Sequence, residues 1–286
     1  MRSLLYVPAN SPRFIQKAPT VGADVIILDL EDSVPATAKD AARLALSSSA
    51  EIAATQGAKI FARINRGAVA ARADIEAACS AGAEGILIAK CSGAEYLHEI
   101  EAIAATVEAR AARKSRLAFI PMIEDPGAVL EARQIAAAST RNIALTVGSE
   151  DLATSMGARS TPEMLRFPKL LVHLAAKAEG LASLGLLRSV ADYKDLAAIA
   201  QAVKEAREHG FDGASCVHPS VVRLLNEGFS PSKGEVAHAH ALVAESEKHA
   251  LDGAGAFEFQ GLMVDAPVIE RARRLLRASD KSPELL

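Results

Sequence analysis

Tryptophan is absent from this chain, and aromatic residues reach only 4%. Proteins that hold single-stranded nucleic acid stack its bases on aromatic faces, and few are on offer here. Charge does not compensate. The 32 Lys and Arg stand against 35 Asp and Glu, a formal net charge of −3 that argues against nucleic acid or an anionic membrane as principal partner. No apolar run approaches the ~20 residues of a membrane span. The run Leu4–Val7 stops at Pro8, too short for a signal-peptide core, so a cytoplasmic location is expected. Cys79, Cys91 and Cys216 are scattered, with no Cys-x-x-Cys spacing, which disfavours structural zinc and a disulfide framework and leaves reduced thiols. Dinucleotide and phosphate-loop fingerprints are missing, as is the Gly-x-Ser-x-Gly nucleophile elbow.

What is present is aliphatic. Hydrophobic residues make up 50% of the 286, so the core must be Ala, Leu, Ile and Val. Eight short β-like runs recur: Ser3–Val7, Asp24–Leu30, Lys59–Asn65, Gly85–Lys90, Leu117–Ile123, Ile143–Gly148, Leu186–Val190 and Ala214–Val217. Several are continuously apolar, as strands covered on both faces should be. Ala-rich stretches such as Thr37–Thr55, Ala94–Ala111 and Tyr193–His209 are long enough for crossover helices between parallel strands. The predicted fold is therefore α/β, a TIM (β/α)8 barrel over residues 1–222, with an open doubly wound sheet as the alternative. Residues 223–286 are predicted to form a helical appendage (Glu235–Ala250, a Gly-containing segment Gly253–Gly261, then Pro267–Ala278) that packs on the barrel or on a neighbouring subunit.

Catalytic groups of such barrels sit at the C-terminal ends of strands. Those ends carry Asp29, Glu31 and Asp32, then Arg63, then Lys90, then Glu124-Asp125, then Glu150-Asp151, then His218-Pro219. Glu124 and Asp151 come from consecutive strands and would suit a hard divalent cation; equally, either could cap the helix that follows. Asp125-Pro126 has the pattern of a helix cap with Pro in the first turn. Arg63 could neutralise the carboxylates around it or bind a substrate carboxylate bidentately. His218 could be a base, a ligand or a loop histidine with its bonds satisfied. Lys90 could suggest a Schiff-base aldolase, but its neighbours provide no apolar pocket to depress its pKa.

At these same residues the chain resembles the citrate lyase beta-subunit-like proteins of the HpcH/HpaI aldolase superfamily. The resemblance spans nearly the whole chain: Arg2-Ser-Leu-Leu-Tyr-Val-Pro-Ala-Asn10, Gly22 to Ser33, Arg63-Ile-Asn65, Pro121-Met-Ile-Glu124, Gly148-Ser-Glu-Asp-Leu152 and Val217-His-Pro-Ser220. It implies a Mg²⁺-dependent carbon–carbon lyase that cleaves a citryl-, malyl- or citramalyl-CoA-like thioester to an acyl-CoA and a 2-keto acid. The alternatives are an aldolase acting on free hydroxy-keto acids and a malyl-CoA thioesterase-like enzyme. By resemblance, Glu124 and Asp151 hold the metal. Arg63, Glu124, Gly148, Ser149 and Glu150 bind substrate, and Asp29 and Glu31 support the site. Asp265, in Gly261-Leu-Met-Val-Asp-Ala-Pro267, would be the base, reaching a neighbour's site in a homotrimer or hexamer. Three departures stand out: Ala9 for the usual Gly, Ala214 for a Lys, and Leu262 for a Lys or Arg.

Overall fold

The computed structural model describes residues 1–251 and 255–279. By its internal contacts the chain divides into Met1–Glu227 and Gly228–Leu286.

The first unit is a barrel of eight parallel strands: β1 (Ser3–Pro8), β2 (Val25–Asp29), β3 (Lys59–Ile64), β4 (Gly85–Ile88), β5 (Ala118–Ile123), β6 (Ala144–Val147), β7 (Ala182–Leu184) and β8 (Ala214–Cys216). Each pairs with its sequence neighbour, β8 returns to β1, and a parallel bridge between Leu184 and Gly213 joins β7 to β8. Closure removes the edges that an open sheet would leave. Helices follow the strands and cover them, so β2 and β4 are buried along their whole length.

The period of two along a strand sorts inward from outward residues. Leu4, Val25, Ile27, Phe61, Leu87, Ile120, Met122, Ala144 and Leu184 form one central cluster. Phe61 sits opposite Gly85 across the β3–β4 ladder. A Cβ on Gly85 would lie 2.3 Å from the Phe61 ring, so glycine there makes room for the aromatic in the barrel centre. Continuing the same alternation past this plug places Asp29 after Ile27, Arg63 after Phe61 and Glu124 after Met122. All three therefore point into the upper mouth.

Local chemistry sets several helix starts. The Asp125 carboxylate accepts from Ala128 N–H at 2.9 Å with Pro126 in the first turn, the cap read from the sequence. Asp195 and Thr161 act likewise for the helices Leu196–Glu208 and Pro162–Ala178. The expected helix Thr37–Thr55 is instead two helices, Lys39–Leu44 and Leu46–Ala53, separated at Ala45, where ψ opens to −4°. The expected seventh strand, Leu186–Val190, is loop. The strand is Ala182–Leu184, whose small residues give little β signal and whose pairing with β6 is decided by barrel closure.

The second unit holds the helix Lys233–Leu251, a hairpin of β9 (Phe257–Phe259) and β10 (Leu262–Val264), and the helix Ala266–Ser279. Part of the anticipated Gly253–Gly261 segment lies outside the described residues; the remainder forms β9 and the turn. Gln260 and Gly261, with φ of 52° and 79°, make the two-residue turn, a left-handed pair that suits the twist of the strands. Ala239, Leu242, Val264 and Ala272 form this unit's core.

Candidate active site

A cavity of about 410 Å³ opens at the C-terminal ends of the strands. Tyr6, Asp29, Arg63, Glu124, Gly148–Asp151 and Ser215 are among its walls. Two kinds of electrostatic arrangement meet there.

On the β2–β4 side every charge has a partner. Arg63 donates from Nε to Asp29 Oδ1 at 2.7 Å and from Nη2 to Asp29 Oδ2 at 2.6 Å, a bidentate pair. Its Nη1 lies 3.2 Å from Glu31 Oε2 and 3.4 Å from Asp32 Oδ2, and the guanidinium rests over the Tyr6 ring at 5.1 Å. Lys90 Nζ reaches Glu31 Oε1 at 2.5 Å and Asp32 Oδ1 at 3.2 Å. Burial alone would raise the Asp29 carboxyl, but the bonds from Arg63 outweigh it and hold the group below its usual range. Burial likewise disfavours the Lys90 ammonium, yet Glu31 and Asp32 win and push its pKa upward. A lysine held protonated is a poor Schiff-base nucleophile, which leaves the covalent aldolase reading without support.

The β5–β6 side is different. Glu124 is 5% exposed and accepts one short hydrogen bond, from the backbone N–H of Lys90. Burial raises its pKa to about 8, with the charges of Asp151 and Glu31 adding to the rise. No cation of this chain pairs with it among the described residues. Its carboxylate lies against Gly148, where a Cβ would come within 2.2 Å of Glu124 Oε1, so any side chain at 148 would displace it. Asp151, in the first turn of the helix Ser149–Ser155, is half-buried and enters the same cavity. Beside it the Ser149 hydroxyl is buried with no hydrogen-bond partner.

Other residues singled out from the sequence take quieter roles. Glu150 accepts from Ser160 Oγ at 2.7 Å and from Ser189 Oγ, tying two loops together. His218 lies 2.7 Å from Ser220 Oγ through Nδ1 and stacks on Tyr193, a loop histidine with its bonds satisfied. Cys79, Cys91 and Cys216 are free and buried, and burial pushes Cys91 and Cys216 up to about 12. Asp265 sits in the second unit. Its carbonyl accepts from Val268 and Ile269, each at 3.1 Å, while its carboxylate makes no hydrogen bond or ion pair with the described residues. Sequence reasoning passed over Tyr6 and Ser215 as cavity walls. The alternation Leu4-Leu5-Tyr6 could have found Tyr6, because Leu4 and Tyr6 share the inward face.

Comparison with known proteins decides among the barrel families. A family model described as HpcH/HpaI aldolase/citrate lyase matches residues 2–219. The chain belongs to this family. It is 29% identical to the citrate lyase subunit beta of Leuconostoc mesenteroides subsp. cremoris, over 98% of this chain and 93% of that protein. Identity is 33% to a (3S)-malyl-CoA thioesterase of Cereibacter sphaeroides, over 98% and 94%. Among solved structures, protein CitE of Mycobacterium tuberculosis in complex with magnesium, acetoacetate and coenzyme A superposes with a TM-score of 0.77 at 28% identity, covering 98% of this chain and all of that one. No helix among the described residues is long and apolar enough to cross a membrane.

Proposed function

We propose that this chain is a magnesium-dependent carbon–carbon lyase that cleaves a 3-hydroxyacyl-CoA of the citryl, malyl or citramalyl kind into an acyl-CoA and a 2-keto acid. The observation that carries the reading is the uncompensated pair Glu124 and Asp151, set in one cavity with a fully compensated Arg63. Among the described residues no three His, Cys, Asp or Glu side chains converge as a metal cage. Two carboxylates with room for water and substrate oxygens are what Mg²⁺ prefers. Glu124 and Asp151 would hold the ion, and the buried, unpartnered Ser149 hydroxyl adds a polar neighbour. When bound, the ion supplies Lewis acidity that makes the substrate hydroxyl easier to deprotonate.

The chain's own groups do the rest. Arg63 has two of its donors on Asp29 and shares Nη1 between Glu31 and Asp32, so a substrate carboxylate would draw Nη1 away from the longer of these contacts, the one to the exposed Asp32. Gly148 N–H is committed to the Ile123 carbonyl at 3.0 Å, which leaves the first-turn N–H groups of Ser149 and Glu150 as backbone donors for the same anion. Asp265 would act as base and take the hydroxyl proton. The carbon–carbon bond then breaks, its electron pair passes to the thioester enolate, and a proton returned to that carbon completes the acyl-CoA. Arg63 stabilises the negative charge of the keto acid as it forms.

For Asp265 to serve this role we place it in a neighbour's mouth, within a homotrimer or hexamer. Leu262 and Met263, 71% and 75% exposed beside it, are the apolar residues such an interface would cover, whereas Val264 is already spent on its own unit's core. A second reading follows from the (3S)-malyl-CoA thioesterase relative: the same site would hydrolyse the thioester. A third, the aldolase on free hydroxy-keto acids, needs no thioester. Incubation with Mg²⁺ and a panel of malyl-, citramalyl- and citryl-CoA, beside free hydroxy-keto acids, with products resolved by mass, tests all three. Acyl-CoA plus keto acid supports the lyase, free CoA plus hydroxy acid supports the thioesterase, and turnover of free hydroxy-keto acids alone supports the aldolase.

A further inference from the structure

Lys169 is a buried lysine that the chemistry above does not use. It lies on the helix Pro162–Ala178 and is 3% exposed. Its Nζ donates to the carbonyls of Leu186 at 2.7 Å and Arg188 at 2.8 Å. No carboxylate is ion-paired with it among the described residues; full burial lowers its pKa to about 7, partly offset by the charge of Glu150.

The two carbonyls are alternate residues of the segment that reads as a strand in the sequence but is not one. Bends at Leu187 and Arg188 keep the segment from running straight, yet both carbonyls turn to the one amine. That amine ties the bent loop to the helix Pro162–Ala178 at the mouth. The next residues face the site. Ser189 donates its hydroxyl to the Glu150 carboxylate, and Val190 forms part of the cavity wall. Glu150 is adjacent in sequence to Asp151 and follows Ser149. A continuous set of bonds therefore runs from Lys169 through the loop to the turn that carries the candidate metal and substrate groups.

We propose that Lys169 is a positioning residue for the site: by bridging the carbonyls of Leu186 and Arg188 it holds the loop Leu186–Val190 against the mouth, and through Ser189 and Glu150 it sets the turn Gly148–Leu152. Its kinetic consequence rests on the lyase reading, but its structural consequence does not.

The test uses the full-length protein and two variants. Lys169→Met keeps much of the side-chain volume and removes the donors; Ser189→Ala is milder and cuts only the link from loop to Glu150. Hydrogen–deuterium exchange is followed over residues 185–192 and 148–152, with the helix Ala94–Arg110 as internal reference. In Lys169→Met, both segments should exchange at least about tenfold faster while the reference holds, the pattern of a local rather than global opening. In Ser189→Ala, only 148–152 should accelerate. With the thioester identified by the panel above, both variants should raise KM about tenfold with kcat changed less than about threefold, as loss of substrate positioning predicts. If the loop loosens in Lys169→Met but 148–152 does not, or if Ser189→Ala leaves exchange and KM unchanged, the proposal is overturned. Should Lys169→Met fail to fold, Lys169→Gln, which keeps an amide donor but cannot bridge both carbonyls, is followed in the same way; faster exchange in both segments is expected, and an unchanged 148–152 overturns the proposal. A wild-type protein that cleaved none of the thioesters would count against the lyase reading, while the exchange pattern would still settle the role of Lys169.

Discussion

The two sides of the barrel mouth are built from the same residue types and behave in opposite ways. Between β2 and β4, Asp29, Glu31 and Asp32 meet Arg63 and Lys90 in a closed set of ion pairs. Across the cavity, Glu124 and Asp151 have no cation between them among the described residues, and the Glu124 carboxyl is driven up to about 8. A buried charge without a partner is costly, and a protein that tolerates one has a use for it. The first side is complete in the folded chain. On the proposed reading the second is completed by what binds. Substitutions on the two sides should therefore divide, with stability and substrate binding lost on the first and metal binding lost on the second.

The largest effect is expected at the uncompensated side. Glu124→Gln or Asp151→Asn should lower Mg²⁺-dependent thioester cleavage at least about a thousandfold, because each removes a charge that a hard cation needs. Isothermal titration should find the Mg²⁺ affinity lost as well, while the metal-free Tm at pH 8 stays level or rises in Glu124→Gln. A fall in that Tm would mean that Glu124 is a structural group after all.

Arg63 should show the converse. Arg63→Met leaves Asp29 buried and unpaired, at a cost of about 3–5 kcal/mol of unfolding free energy, measurable by denaturant titration. Arg63→Lys keeps a charge but not the fork, so kcat/KM should drop about a hundredfold with Mg²⁺ affinity within about threefold of the parent. If Arg63→Lys weakened metal binding instead, the two sides would not be separate devices.

A third experiment asks whether the uncompensated side is also finished by another subunit. Inactive Asp265→Asn and Glu124→Gln proteins are mixed and allowed to exchange subunits. Equal mixing should restore about a quarter of wild-type activity, the fraction of mouths that pair an intact metal site with an intact aspartate across a symmetric interface. No recovery, with exchange established by mass, would mean that each chain carries its own complete set.

The smallest effect is in pH dependence, and the two sides again differ in sign. Glu124 has a folded pKa raised to about 8, so its contribution is fully present below the ordinary carboxylate range and is lost as pH rises through about 8. Asp29 is depressed, so its contribution is present above that ordinary range and is lost as pH falls through its lower folded value. The metal-free protein should thus lose a few degrees of Tm between pH 6 and 9, and Mg²⁺ should restore more at pH 8 than at pH 6. Glu124→Gln should flatten the alkaline fall and leave the acid one in place.

How much of this was legible beforehand depended on range. Seven of the eight strands were readable to within a residue or two because their apolar runs and turn residues are local signals. Glu124, Asp151, Arg63 and Asp29 were readable as mouth residues because strand ends and the period of two are local as well. The exception among strands, Ala182–Leu184, has little intrinsic β preference, and the apolar Leu186–Val190 beside it gave the stronger signal. Which of the two forms the strand is decided by pairing with Leu145 and Thr146 and by the bridge to Gly213, all distant in sequence. The hairpin of the second unit escaped notice because its turn is Gln260-Gly261, where the expected signal is Asn-Gly or Asp-Gly.

By itself the sequence determined the α/β alternation, the barrel, and the short set of charged residues placed at its mouth, since each follows from patterns within one strand or one turn. Only the tertiary structure decided which charges cancel. Arg63 is 34 residues from Asp29, and Lys90 is 59 from Glu31. Lys169 meets Leu186 and Arg188 only because a helix and a loop fold onto each other. Electrostatic compensation depends on distance and burial in space, and no local pattern encodes either. That is why the same list of carboxylates contains both a finished ion-pair network and an open one.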